Sequence, residues 1–174
     1  MALAVCLLFD AAARRALQQL WARLEDLGVP TLLTHTHGRH VPHLSYAVLR
    51  SYDVDDVTAA LEALPDGGPL TLYSDGLGAF RRGRIWLAPA PTADLLRRQQ
   101  RVVDTVTATG ADLHKHYRPG VWTPHLTLSP RARLDDLPGV AAAVYDVLPL
   151  ATAVSGAALI DTTTGERRPL RRVP

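Results

Sequence analysis

The chain has 174 residues, 47% of them hydrophobic and 21% charged, with a formal net charge of +2 at pH 7. That size and balance suit one domain, or two small lobes sharing a core, and exclude disorder as the main state. A lone cysteine, Cys6, excludes an internal disulfide framework or a cysteine-rich zinc module and fits a reducing compartment, the cytoplasm, while no apolar run approaches the ~18 residues of a membrane helix.

Ala2 to Phe9 is an apolar run that predicts a strand. It lacks the basic flank of a signal peptide, and Asp10 cuts it short. Asp10 then caps a helix over Ala11–Leu27, with Ala13, Leu17, Leu20, Trp21, Leu24 and Leu27 at 3–4 spacing and Gly28 ending it. A loop rich in Thr, His and Gly leads to a strand at His43–Leu49. A second helix starts at Asp53 or Asp55, carries Val57, Ala60, Leu61 and Leu64, and breaks at Pro65–Pro69.

Strands near Leu70–Tyr73 and Gly83–Leu87 follow, with the basic stretch Arg81-Arg82-Gly83-Arg84 at the turn between them. Thr92 caps a third helix that stops at Gly110. A polar loop reaches Pro124, and His125–Leu128 reads as a strand. Asp135 or Asp136, with Pro138, opens a fourth helix through Val144 to Leu148. Val154–Ile160 is the last clear strand, and Glu166–Pro174, with Arg167, Arg168, Arg171 and Arg172, is an edge strand or a frayed tail. Strands and helices mixed in this order define an α+β or mixed-sheet domain. The glycine pattern of a dinucleotide fold, a Walker loop and a nucleophile elbow are all absent from the sequence.

All seven histidines fall in two clusters: His35, His37, His40 and His43, then His114, His116 and His125. Within them a tetrapeptide repeats. Pro42-His43-Leu44-Ser45 returns 82 residues later as Pro124-His125-Leu126-Thr127, and each copy precedes an Asp-Asp pair that opens a helix. Proline is tolerated at the first residue of a strand, and side chains at i and i+2 share a face. His43 with Ser45, and His125 with Thr127, therefore line one face, while Leu44 and Leu126 point into the core. Two imidazoles and two hydroxyls in one cleft suit metal-free phosphodiester chemistry. One imidazole takes a proton from water, the other gives one to the leaving oxygen, and the hydroxyls hold the phosphoryl oxygens.

Paired H-x-[S/T] motifs at this spacing resemble those of the 2H phosphoesterases, and within them the 2'-5' RNA ligase and RNA 2',3'-cyclic phosphodiesterase group. The resemblance spans nearly the whole chain. It implies a single domain of two intertwined lobes related by a pseudo-two-fold axis, with antiparallel sheets lining a central cleft and helices outside. It also implies RNA or a nucleotide 2',3'-cyclic phosphate as substrate, no cofactor and no metal, a cytoplasmic monomer, and a lean toward His125 as base and His43 as acid. An arginine after the second motif touches phosphate in the family; Ser129-Pro130 intervenes here, and Arg131 is the nearest candidate.

Tyr46, Tyr117 and Trp122 flank the motifs and are candidates to stack on a base, as against packing under the strands. Phe80 with Arg81, Arg82 and Arg84 is either a basic, aromatic rim or a solvated hairpin tip. The spacing H-x-H-x-x-H-x-x-H over His35–His43 invites a metal-dependent hydrolase, against a solvated loop at the cleft mouth in which Arg39 or His40 binds an anion. A third alternative keeps the fold as a module that binds RNA or a cyclic nucleotide without turning it over.

Overall fold

The computed structural model describes residues 2–174. In chain order the elements are β1 (Leu3–Phe9), α1 (Ala11–Asp26), β2 (His43–Ser51), α2 (Val54–Glu62), β3 (Thr71–Phe80), β4 (Arg84–Pro89), α3 (Ala93–Ala108), β5 (Asp112–Leu113), β6 (Leu126–Ser129), α4 (Leu137–Tyr145), β7 (Leu150–Asp161) and β8 (Arg167–Leu170). The helices begin where side-chain acceptors meet free N–H groups. The Asp10 carboxylate accepts from Ala13, Asp53 from Asp55 and Asp56, and the Thr92 hydroxyl from Leu95. Helix α4 instead emerges from a 3₁₀ turn at Leu134–Asp136, with Pro138 in its first turn.

All strands pair antiparallel in one eight-stranded sheet of order β5-β2-β1-β7-β3-β4-β6, with β8 also on β7. The α+β reading holds. Two differences are local, and one open alternative is decided. Strand β3 runs on to Phe80 and β7 begins at Leu150, because their extra residues pair within the sheet (Leu72 with Thr152, Ser74 with Leu150, Phe80 with Arg84). The two-residue β5 adds an edge beside β2 that has no sequence signal. The C-terminal arginine segment is an edge strand, held on α2 by Arg168 to Asp55 and Arg171 to Glu62.

The helices cover one face of the sheet and bury the core there. Leu7, Leu44, Leu87, Leu126 and Leu128 point into it beside Leu17, Trp21 and Leu24 of α1 and Leu95, Val102 and Val106 of α3. Each fully buried Leu or Val contributes about 1.5–3 kcal/mol. A one-residue slip of β2 would expose Leu44 and bury His43, so the apolar face fixes the register that aims the histidine. Helix α1 packs on β1, β7 and β6, and α3 packs on β2 and β5. The first helix therefore supports the second motif's strand, and the third helix supports the first's. Strands β2 and β6 also touch each other despite lying near opposite ends of the strand order, so the sheet curls its open face into a cleft.

Candidate active site

The cleft floor follows from strand alternation. On β1 and β2, Cys6 lies opposite Ser45 and Leu8 opposite His43; on β4 and β6, Trp86 lies opposite Thr127. Each motif strand then carries a bulge directly after its hydroxyl residue. Tyr46 is skipped between the pairs Cys6–Ser45 and Val5–Ala47, and Leu128 is skipped between Trp86–Thr127 and Ile85–Ser129. A bulge re-aims side chains and frees backbone groups from the ladder. Here an indole donates to the hydroxyl residue's carbonyl in both copies: Trp122 Nε1 to Ser45 O at 3.1 Å, and Trp21 Nε1 to Thr127 O at 3.2 Å. The Gln99 amide adds donations to Tyr46 O at 3.1 Å and Tyr117 O at 2.8 Å.

The two histidines are held alike. His43 Nδ1 lies 2.7 Å from Val41 O, and His125 Nδ1 lies 2.7 Å from Thr123 O. A carbonyl only accepts, so Nδ1 carries the proton in both rings and Nε2 is left with its lone pair. Burial lowers the pKa of each ring below the usual histidine value, opposed in part by that backbone bond. The charges of His43 and Arg84 lower His125 further. Two neutral imidazoles with free Nε2 atoms are the resting state at neutral pH.

The cleft, about 190 Å³, is lined by Cys6, His43, Ser45, Val48, Tyr117 and Thr127 among others. Ser45 Oγ sits 3.4 Å from Cys6 Sγ, and burial pushes that thiol up to about 12, so it stays protonated. Burial likewise holds the Tyr117 phenol up at about 12, against a lowering contact from the Ser45 hydroxyl. On the other wall, Phe80 and Trp86 lie with ring centroids 4.8 Å apart and meet the His125 ring edge-on, Phe80 at 5.1 Å. Gly78 makes this possible, since a Cβ there would come 2.2 Å from the Trp86 ring.

His43, Ser45, Tyr117 and Thr127 therefore meet in the cleft, and His125 stands on the same sheet face. Two expected substrate contacts, Tyr46 and Trp122, lie elsewhere. Tyr46 is fully buried under β2, and Trp122 is buried too, with its indole N–H committed to Ser45 O. Neither presents a face to a base. Arg131 is exposed beyond β6, in a segment docked on the β3–β4 turn through Ala132 N–H to Gly83 O. The guanidinium whose charge reaches His125 is Arg84's, on β4. Sequence reasoning missed Trp86; its signal is the alternation Arg84, Trp86, Ala88 against buried Ile85 and Leu87, facing the gaps at Gly76 and Gly78. The His35 and His37 rings both pack against His40, and among the described residues no three His, Cys, Asp or Glu side chains converge to hold a metal. No helix among the described residues is long and apolar enough to cross a membrane.

An antiparallel sheet with four helices and two such strands is the fold of the 2H phosphoesterases. The structure of E. coli LigT complexed with 3'-AMP matches it with a TM-score of 0.66 at 18% identity, over 98% of this chain and 95% of that one. LigT complexed with NADP+ gives 0.61 at 19%, over 97% and 94%. The protein TT0787 of Thermus thermophilus gives 0.59 at 18%, over 99% of both chains. The family model of the 2'-5' RNA ligase superfamily matches residues 9–166, and the chain belongs to that family. No curated protein sequence matches.

Proposed function

We propose that the protein is a metal-independent phosphodiesterase that opens 2',3'-cyclic phosphates or cleaves 2'-5' phosphodiester bonds in nucleotides or RNA. The observation that supports this most is the matched pair of histidines, each with Nδ1–H on the carbonyl two residues back and a hydroxyl two residues ahead. One histidine accepts a proton at Nε2 from water, whose oxygen bonds to phosphorus. The bond from phosphorus to one ribose oxygen breaks, and the other histidine, protonated at Nε2, gives that oxygen its proton. The family resemblance leans to His125 as base and His43 as acid. Burial lowers both rings, but a bound phosphodiester anion favours the charged form, so the substrate itself supplies the field that keeps one ring protonated. Ser45 and Thr127 donate to the non-bridging oxygens.

E. coli LigT has been seen with 3'-AMP and with NADP+. For this chain the surface best suited to a base is the Phe80–Trp86 pair beside His125, with Arg84 as the guanidinium whose charge reaches that ring. Phosphorus NMR of 2',3'-cyclic mononucleotides incubated with the protein and a chelator tests the reading. A single phosphomonoester isomer is the expected product. Binding without turnover would establish the non-catalytic module instead, and turnover abolished by chelator would contradict the metal-free chemistry.

A further inference from the structure

Beside His43, on the side away from His125's aromatic wall, a shallow depression is lined by His37, Arg39, His40, Gly165 and Arg167. The sheet register places Arg167 there. Arg167 pairs with Ile160 and Arg168 with Leu159; Ile160 lines the cleft, whereas Leu159 is buried in the core. Arg167 thus shares the cleft face, while Arg168 turns to Asp55 on α2. Arg171 is likewise engaged by Glu62. Among the described residues, Arg39 and Arg167 have no carboxylate partner. Asp161, on the same rim, already accepts the N–H groups of Thr163 and Thr164.

His37 stands in the wall of the depression. Its Nδ1 accepts the Arg39 backbone N–H at 3.0 Å, so its proton is on Nε2. That Nε2 is shut off from solvent and has no acceptor. An orphaned buried donor costs about 1–3 kcal/mol unless a partner arrives. The ring is not free to turn away, because it packs against Gly165, where a Cβ would come 2.5 Å from it and φ is +72°. His40 is tied down by a 2.9 Å bond to Thr36 Oγ1. Two guanidiniums without a carboxylate partner, lining one depression that has no acidic side chain in its lining, are complementary to a phosphate group.

We propose that Arg39 and Arg167, with the His37 ring in the wall between the loop and β8, form an anion subsite that takes a second phosphate of the substrate, one other than the phosphate under attack at His43 and His125. The preferred substrate is then a nucleotide or oligonucleotide carrying at least two phosphates. This rests on the phosphodiesterase reading above. The second phosphate comes either from the next internucleotide linkage or from a terminal phosphomonoester.

The test compares kcat/KM on a 2',3'-cyclic mononucleotide, on the same compound with a 5'-phosphate, and on a dinucleotide ending in a 2',3'-cyclic phosphate. At least one two-phosphate substrate should be preferred by about tenfold or more, and which one it is names the source. Arg39→Ala and Arg167→Ala should each bring that ratio close to one. No preference in the unmodified protein, or a preference untouched by both substitutions, overturns the subsite. If no cyclic phosphate is turned over, the phosphodiesterase reading fails on its own. The subsite is then judged by calorimetry with a nucleoside 3',5'-bisphosphate against the 3'-monophosphate: tighter binding lost in Arg167→Ala supports it, and equal affinity overturns it.

Discussion

At the scale of single residues, the proposed chemistry turns on the tautomer of two rings. Both Nδ1 atoms are committed to carbonyls, which leaves Nε2 as the atom of each ring open to a proton in the proposed reaction. Catalysis by such a pair needs one proton shared between two rings whose pKa values are both depressed by burial. Above the ordinary histidine value of about 6.5 the free protein loses that proton, so kcat/KM on a cyclic phosphate should fall from pH 6 to pH 8, toward tenfold per unit. The alkaline limb of kcat should lie higher, because bound phosphate favours the imidazolium. A pH–rate series checks both, and a kcat/KM that rises over this range would count against the assignment. Tyr46 gives an independent test. Its hydroxyl is buried without a partner, so Tyr46→Phe should leave the melting temperature and activity unchanged or raise the former, which thermal melts and rate assays will show. A loss of activity with the fold intact would instead return the Tyr46 hydroxyl to the substrate. The repeat makes the placement of His43, Ser45 and Thr127 on one cleft face legible in the sequence; the burial of Tyr46 and Trp122 is not legible there, because nearness in sequence says nothing about which face of a strand a ring takes.

The next scale is the element, where two bulged strands are completed by donors from the other half of the chain. Trp21 of α1 reaches Thr127 O, and Trp122, just before the second motif, reaches Ser45 O. Trp21→Phe or Trp122→Phe leaves a buried carbonyl unsatisfied, at a cost of about 1–3 kcal/mol. That corresponds to several degrees in melting temperature for a chain of this size. Calorimetric melts of the two variants should each show a loss, the larger part of that range being expected for Trp122→Phe, whose bond is the more deeply buried of the two. Gly78→Ala works differently: its Cβ meets the Trp86 ring at 2.2 Å and must displace it. The expected outcome is a raised KM for nucleotide with the fold retained. The helices were readable from their caps and periodicity. The bulges were not, because a skipped residue leaves strict alternation in the sequence looking intact. Trp86 was hidden for a related reason, since its platform depends on a glycine across the ladder at Gly78.

Across the whole molecule, the internal repeat makes two matched strands legible, but not how helices and strands from the two halves of the sequence pack on one another. Helix α1 lies under β6 and α3 under β2, an exchange that no local pattern encodes. Burial of so many imidazoles also sets the acid stability. His40 is lowered to about 4, and His43, His114 and His125 are lowered as well, mainly by burial. The unfolded chain binds these protons near pH 6.5 while the folded protein does not, so stability is full above that value and is lost as the pH falls toward 4. Melts between pH 7.5 and 4.5 should show this decline, and His40→Gln should flatten part of it. The central claim, that His43 and His125 act together as acid and base, is tested most directly by the turnover of a 2',3'-cyclic mononucleotide by His43→Ala and His125→Ala beside the unmodified protein. Each substitution should lower kcat by about 10²–10⁴-fold with the circular dichroism spectrum retained. A folded variant of either kind that keeps the full kcat would contradict the account.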